Sequence, residues 1–158
     1  PALVVTVLLR AFLSLELPGS MVVIGDGPEL PRLRARHPQA QFLGAVENSR
    51  LAPYYRAADV FVFPSRTDTF GLVMLEAMAC GLPVAAYPVP GPKDVVDHPR
   101  SGVLDVDLRA ACLAALHLPR SAARAWAAKF SWEAATRQFC ASLAVAPAPS
   151  GSMRAPAD

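Results

Sequence analysis

Four consecutive apolar residues, Val60 to Phe63, are followed by a polar loop, a second apolar stretch and a glycine, Gly81. An unbroken apolar run of this length is typical of a strand with both faces buried, as in parallel sheets. The loop leads into a predicted helix that begins at Phe70-Gly71 and ends at Cys80-Gly81, and a new strand follows at Pro83-Val84. The strand–loop–helix–strand order favours an α/β fold, which binds ligands beyond the carboxyl ends of its strands.

Two carboxylates lie on this unit, Asp68 and Glu76, with seven residues between them. Asp68 falls in the loop, and Glu76 falls about a turn and a half into the predicted helix. Both can therefore face the cleft beyond the strand. The helix start also offers unpaired backbone N–H groups and the positive end of the helix dipole, which suit a phosphate.

The rest of the chain repeats the alternation of strands and helices. It predicts a Rossmann-like, doubly wound parallel sheet with helices on both faces. We expect one domain over residues 1–145, with an atypical segment 1–20, and a disordered tail over residues 146–158, which are rich in Pro, Ser, Gly and Ala. The predicted strands cover residues 21–24, 41–44, 60–63, 83–87 and 102–104. The predicted helices cover residues 29–36, 51–58, 70–80, 107–116, 122–128 and 132–143, with a short one near residue 92. The almost uniformly apolar run 4–13 is compatible with either a strand or a helix.

Composition narrows the functional classes. The chain has 158 residues, of which 53% are hydrophobic and 18% charged, as expected of a globular domain. A net charge of +2 gives no support for nucleic-acid binding. Three separated cysteines, with no Cys/His cluster, indicate neither a disulfide framework nor a metal site, and we expect a reducing cytoplasm. Because the chain begins with Pro1 and shows no signal peptide, we expect a fragment of a longer protein.

The motif around Glu76 resembles the signature of the retaining group 1 glycosyltransferases of GT-B fold. Asp68 stands where most members carry the first Glu of a Glu–seven residues–Glu pattern. The resemblance covers residues 20–140 and implies the C-terminal, donor-binding half of a GT-B fold. The matching residues are Phe70, Gly71, Glu76, Ala77, Gly81, Pro83 and Val84.

The resemblance assigns roles to individual positions. Glu76 would accept hydrogen bonds from ribose hydroxyls of a nucleotide; the alternative is a solvated helix acid. Asp68 would bind hydroxyls of the transferred sugar; the alternative is a helix N-cap. Backbone N–H groups of Thr69, Phe70, Gly71 and Leu72 would meet the sugar and the phosphates. Phe70 could at the same time pack in the core.

Further positions carry weaker assignments. The turn Gly25-Asp26-Gly27-Pro28 resembles one that lines the donor cleft, but as a sequence it is simply a turn. The stretch ending in Val46 resembles the backbone that meets the nucleotide base. Arg66 could contact a phosphate or lie on the surface. We expect surface or partly buried positions for the three histidines, a packing role for Cys80, and anchoring of the last helices by three aromatic residues: Trp126, Phe130 and Trp132.

The implied reaction moves a hexose from a UDP- or GDP-sugar to an acceptor hydroxyl with retention of configuration. It needs no metal or other cofactor, because positioning and stabilisation of the leaving diphosphate carry it. The expected partners are an N-terminal acceptor domain absent from this chain and a lipid acceptor at the inner membrane surface, with mannosyl transfer as one case. Val7 aligns with the family's phosphate-binding Lys, so the isolated chain is expected to be inactive. The alternatives are a truncated, non-catalytic nucleotide-sugar-binding module and another GT-B-type enzyme such as a sugar epimerase.

Overall fold

The structure is a computed structural model that describes residues 2–5, 17, 19–67 and 70–142. Several positions with predicted roles lie outside the described residues: Val7, Asp68, Thr69 and the tail 146–158. For strand residues 2–5 the backbone alone is described.

Six strands form one sheet, and every neighbouring pair is parallel. The strands follow the order β3-β2-β1-β4-β5-β6, in agreement with the predicted doubly wound sheet. The apolar run at residues 4–13 begins within a strand, which settles its first residues as β1. The strands are β1 (Ala2–Val5), β2 (Ser20–Ile24), β3 (Gln41–Gly44), β4 (Val60–Phe63), β5 (Val84–Ala86) and β6 (Gly102–Leu104).

The described helices lie between or after these strands, close to their predicted positions. A turn of 3-10 helix, Asn48–Arg50, precedes the second of them. Asp107 and Ser131 act as N-caps: the Asp107 carboxylate accepts from Arg109 and Ala110, and the Ser131 hydroxyl accepts from Ala134. The helices are α1 (Leu30–Arg36), α2 (Leu51–Ala57), α3 (Leu72–Ala79), α4 (Pro92–Val95), α5 (Leu108–Ala115), α6 (Arg120–Ala127) and α7 (Trp132–Ser142).

Strand β4 shows why the chain needs helices on both faces of the sheet. Its four residues are all buried, and successive side chains point to opposite faces. Val60 and Val62 join an apolar cluster with α1 and α5, whereas Phe61 and Phe63 join a cluster with α2, α3 and α6. The continuous apolar run is therefore the sequence of a strand that supplies both cores.

Gly81 ends helix α3, as predicted. Its φ of +79° lies in the left-handed region, and a Cβ at this position would meet the Arg120 carbonyl oxygen at 3.2 Å. The N–H of Gly81 donates to the carbonyl of Met78. Both the turn and the close packing against α6 therefore require glycine here.

The aromatic residues of the last helices behave unequally. Trp126 anchors α6, because its indole N–H donates to the Val95 carbonyl at 2.8 Å and its ring packs against Phe130. The prediction for Trp132 is wrong: its side chain is 87% exposed. It occupies the first position of α7, a helix in which no residue is buried. Among the described residues, no helix is long and apolar enough to cross a membrane.

Candidate functional site

The strand order reverses between β1 and β4. In a doubly wound sheet, the connections on the two sides of such a point leave in opposite directions, and a crevice opens at the carboxyl ends of the strands. The segments after β2 and β3 lie on one side of this point, and the segments after β4 and β5 lie on the other. The predicted binding residues of the described chain occur on these segments or on the helix that follows β4.

The turn after β2 contains Gly25 and Gly27. Gly25 has a φ of +138°, and its N–H donates to the carbonyl of Gly44 at 2.8 Å. This bond joins the end of β2 to the end of β3, so the two predicted ligand-contacting turns are neighbours. Val46, two residues beyond Gly44, is partly buried against the same apolar cluster as helix α3.

Gly27 differs from the other glycines of the site. A Cβ built on it would meet nothing within 4 Å, and its φ lies outside the left-handed region. Neither backbone conformation nor internal packing therefore requires glycine at this position. The space in front of Gly27 is open for a ligand that approaches the backbone.

The loop after β4 begins inside the protein and then becomes exposed. Ser65 is buried, and its hydroxyl accepts a hydrogen bond from the N–H of Thr67 at 3.4 Å. Arg66 is exposed, and its guanidinium carbon lies 3.8 Å from the centroid of the Tyr87 ring. Tyr87 directly follows β5, so this cation–π contact joins the carboxyl ends of two neighbouring strands. It also places a fixed positive charge at this edge of the sheet.

Gly71 is the N-cap of helix α3 and has a φ of +70°. This φ favours glycine, and a Cβ here would also lie 2.5 Å from the flexible end of the Met74 side chain and 3.3 Å from the Phe63 ring. Having no side chain, Gly71 supplies no cap to the first N–H groups of the helix. Phe70 and Leu72 on either side are 43% and 64% exposed, so the interpretation of Phe70 as a core residue does not describe this structure.

Glu76 is the fifth residue of α3, about 6 Å along the axis from its first residue. It is half-buried, whereas Met74, Ala77 and Met78 face the core. Within the described residues, no hydrogen bond or ion pair engages its carboxylate. A half-buried carboxylate without an internal partner, near a helix start, is available to accept hydrogen bonds from a ligand.

Tyr55 and Tyr87 belong to this region and were not predicted. Tyr87 could have been found from its place directly after a buried strand. Tyr55, in α2, is 1% exposed and faces the same apolar cluster as α3. Burial, and after it the negative charges of Glu76 and Cys80, raise the pKa of Tyr55. No group of three His, Cys, Asp or Glu side chains suited to a metal ion occurs in the part of the chain that the structure describes.

Comparison with known proteins agrees with this geometry. The family pattern described as "Glycosyl transferases group 1" matches residues 4–118. A GDP-mannose-dependent alpha-mannosyltransferase of Mycolicibacterium smegmatis is 42% identical over 88 residues, which is 55% of this chain and 24% of that protein. A D-inositol 3-phosphate glycosyltransferase of Mycolicibacterium paratuberculosis is 37% identical over 161 aligned positions, which cover 86% of this chain and 36% of that protein. The chain thus spans about a quarter to a third of the length of these two relatives.

Solved structures show the same fold. Sucrose-phosphate synthase of Thermosynechococcus elongatus superimposes with a TM-score of 0.72 at 28% identity, over 88% of this chain and 44% of that one. The pneumococcal O-GlcNAc transferase GtfA, solved with UDP and GlcNAc, gives a TM-score of 0.69 at 21% identity, over 89% of this chain and 34% of that one. The predicted GT-B-type α/β fold is confirmed. On the extent of the sequence match and on this fold, the chain belongs to the group 1 glycosyltransferase family.

Proposed function

We propose that the chain is the donor-binding part of a retaining glycosyltransferase that moves a hexose from a nucleoside diphosphate sugar to an acceptor hydroxyl. The observation that carries this proposal is the gathering of the site residues around one point of the sheet. The Gly25–Gly27 turn and Val46 lie on one side of the strand-order reversal, and Arg66, Gly71 and Glu76 lie on the other.

A nucleotide sugar fits this arrangement from base to sugar. The base lies against the backbone near Val46, and the ribose diol donates to the Glu76 carboxylate, which has acceptors for both hydroxyls. The diphosphate lies at the start of α3, where the N–H groups of Leu72 and its neighbours and the helix dipole stabilise negative charge. The exposed guanidinium of Arg66 adds a positive charge beside it.

The remaining roles are proposed from the family pattern. Asp68 accepts hydrogen bonds from hydroxyls of the transferred sugar, and Thr69 offers its backbone N–H to the same region. Departure of the diphosphate is the step at which charge develops, so helix N–H groups and Arg66 favour the transition state over the ground state. No residue of the chain acts as a nucleophile in this scheme.

GDP-mannose is the donor that we propose first. The Mycolicibacterium smegmatis relative is named a GDP-mannose-dependent alpha-mannosyltransferase and shares 42% identity with this chain over the matched segment. We further propose a lipid acceptor at the inner membrane surface and an acceptor-binding domain as partner. Residues 1–158 alone are expected to transfer no sugar, because the second wall of the site belongs to that domain.

The experiment is a titration of the 158-residue chain with GDP and UDP, followed by amide NMR signals or by calorimetry. Glu76→Ala should weaken binding by about 1.5–3 kcal/mol, the usual worth of hydrogen bonds to a charged acceptor. Glu133→Ala removes the same side chain from α7 and should leave affinity unchanged. Equal affinity of wild type and Glu76→Ala would exclude Glu76 from the site, and no binding of either nucleotide would overturn the proposed function.

A further inference from the structure

The hydroxyl of Tyr55 is a buried polar group without a partner. The residue is 1% exposed, and no described residue forms a hydrogen bond with its Oη. Buried hydroxyls are almost always hydrogen-bonded, and an exception in a folded protein needs an explanation. A hydroxyl kept unpaired close to a binding site is explained if it gains its partner when the site is occupied.

The fold leaves Tyr55 little freedom to move. Its ring meets the Phe61 ring edge to face, with centroids 5.7 Å apart and planes at 86°. The Arg120 guanidinium donates to the backbone carbonyls of Tyr55, Arg56 and Ala58, which ties the end of α2 to α6. The phenol is thus held from its ring and from its backbone, so its hydroxyl has a fixed position in the core.

Helix α3 packs against α2, the helix that carries this hydroxyl. Met74, Ala77 and Met78 belong to the same buried cluster as Tyr55 and offer no side-chain oxygen or nitrogen to it. Burial first, and after it Glu76 and Cys80 on the partly exposed face of α3, raise the pKa of the Tyr55 phenol. Glu76 alone of these five supplies a carboxylate, which is a strong acceptor for a phenol.

We propose that Tyr55 is a positioning residue for Glu76: its hydroxyl donates a hydrogen bond to the Glu76 carboxylate and fixes it while that carboxylate accepts the ribose hydroxyls. The inference rests on the proposed function, which gives Glu76 its ligand. In the unliganded chain the two groups are not yet bonded, and the bond forms as the carboxylate turns to the nucleotide. Hydrogen bonds of functional sites commonly tighten only when the ligand is present.

This arrangement has a specific energetic signature. Without ligand, the hydroxyl is a desolvated, unpaired group, so its removal should not destabilise the fold. With ligand, the same hydroxyl holds one of the carboxylate's acceptors, so its removal should weaken binding. If Tyr55 served packing alone, removal of its hydroxyl would show the opposite pattern. It would lower the stability of the fold, and binding would weaken only because a larger fraction of the chain is unfolded.

Tyr55→Phe tests this, because it removes the hydroxyl and keeps the ring against Phe61. Tyr54→Phe is the matched control, since it removes a hydroxyl from the preceding, half-buried position of the same helix. Each change is made in wild type and in Glu76→Ala, and GDP affinity and the urea midpoint of unfolding are measured for the 158-residue chain.

We expect Tyr55→Phe to weaken GDP binding about 10-fold in the wild-type chain. It should have no effect in Glu76→Ala, and it should leave the urea midpoint unchanged or higher. Tyr54→Phe should change neither quantity in either background.

Three results would overturn the inference while leaving the proposed function intact: unchanged affinity of Tyr55→Phe, an equal loss of affinity in Glu76→Ala, or a lowered urea midpoint that accounts for the loss. If Glu76→Ala itself binds GDP as wild type does, Glu76 lies outside the site and the role of Tyr55 fails with it, whereas the proposed function fails only if the chain binds neither GDP nor UDP.

Discussion

The indole Nε1 of Trp126 lies 2.8 Å from the backbone carbonyl oxygen of Val95 and donates a hydrogen bond to it. This bond joins α6 to the last residue of α4, the short helix that follows the segment after β5. Val95 is fully buried, so its carbonyl has no access to water. The Lys129 ammonium lies 4.1 Å from the Trp126 ring centroid and covers the ring.

We therefore expect Trp126→Phe to destabilise the chain by about 1–3 kcal/mol, because it leaves the Val95 carbonyl buried and unpaired. Trp132→Phe is the control. The Trp132 side chain is 87% exposed, so this substitution should change the free energy of unfolding by no more than about 0.5 kcal/mol. Urea unfolding measures both. Equal effects of the two substitutions would show that the bond to Val95 contributes nothing to stability.

The start of α3 gives a second prediction. Gly71→Ala places a Cβ in the left-handed region, at about 1–2 kcal/mol, and pushes it against Met74 and the Phe63 ring. Gly27→Ala adds the same methyl group where nothing lies within 4 Å. We expect the first substitution to lower the free energy of unfolding clearly and the second to leave it unchanged.

Nucleotide affinity separates the two glycines further. Under the proposed function, a methyl group on Gly27 occupies space that the donor uses, so Gly27→Ala should bind GDP more weakly at unaltered stability. Calorimetry measures the GDP affinity of each variant, and urea unfolding of the same samples measures its stability. Unaltered GDP affinity of Gly27→Ala would leave the Gly25–Gly27 segment as a turn without a role in binding.

Much of the fold could be predicted because its determinants are local. The unbroken apolar run of β4 indicated burial on both faces, and Gly81 marked the end of α3. The predicted helices 107–116 and 132–143 agree to within about a residue with α5 and α7, whose N-caps directly precede them in the sequence. Such signals depend only on residues that are close together in the sequence, so they do not change with the packing of the rest of the chain.

The features that escaped prediction depend on distant contacts. Trp126 and Trp132 look alike in the sequence, but only Trp126 reaches Val95, which is 31 positions away. Of the adjacent Tyr54 and Tyr55, the second is fully buried and meets the Phe61 ring, whereas Tyr54 is partly buried against the same cluster, and the difference follows from how α2 packs. The orphan hydroxyl of Tyr55 likewise exists only once the two helices meet.

Thiol reactivity gives a third prediction, with a defined dependence on pH. Burial, and to a lesser extent the charge of Asp107, raises the pKa of the Cys112 thiol from 9.0 to about 12. At pH 8 this thiol stays protonated and enclosed, whereas Cys140 is exposed. An Ellman's reagent assay should show fast reaction of Cys140, and Cys112 should react only on unfolding.

The same shift predicts how stability changes in alkali. Between pH 9 and about 12, the Cys112 thiol ionises in the unfolded chain but not in the folded one, so the free energy of unfolding falls as the pH rises. Cys112→Ala should remove this part of the pH dependence, and Cys140→Ala should retain it. Rapid labelling of Cys112 in the folded chain would contradict both expectations.

Arg66 provides the last prediction, which separates two uses of one guanidinium. Its stacking on Tyr87, at 3.8 Å, is worth about 0.5–1 kcal/mol to the fold and holds the loop after β4 in place. The proposed function adds a contact between the same charge and the donor diphosphate. Arg66→Gln removes the charge, so we expect weaker binding of GDP and unchanged binding of guanosine, which has no phosphate. The loss of GDP affinity should shrink as the salt concentration is raised, because exposed charges are screened.

Arg137→Gln makes the same change on the exposed surface of α7 and should affect the binding of neither ligand. If Arg66→Gln weakens GDP and guanosine equally, the arginine acts through the loop and Tyr87 alone, and the phosphate must be held by the start of α3 without it.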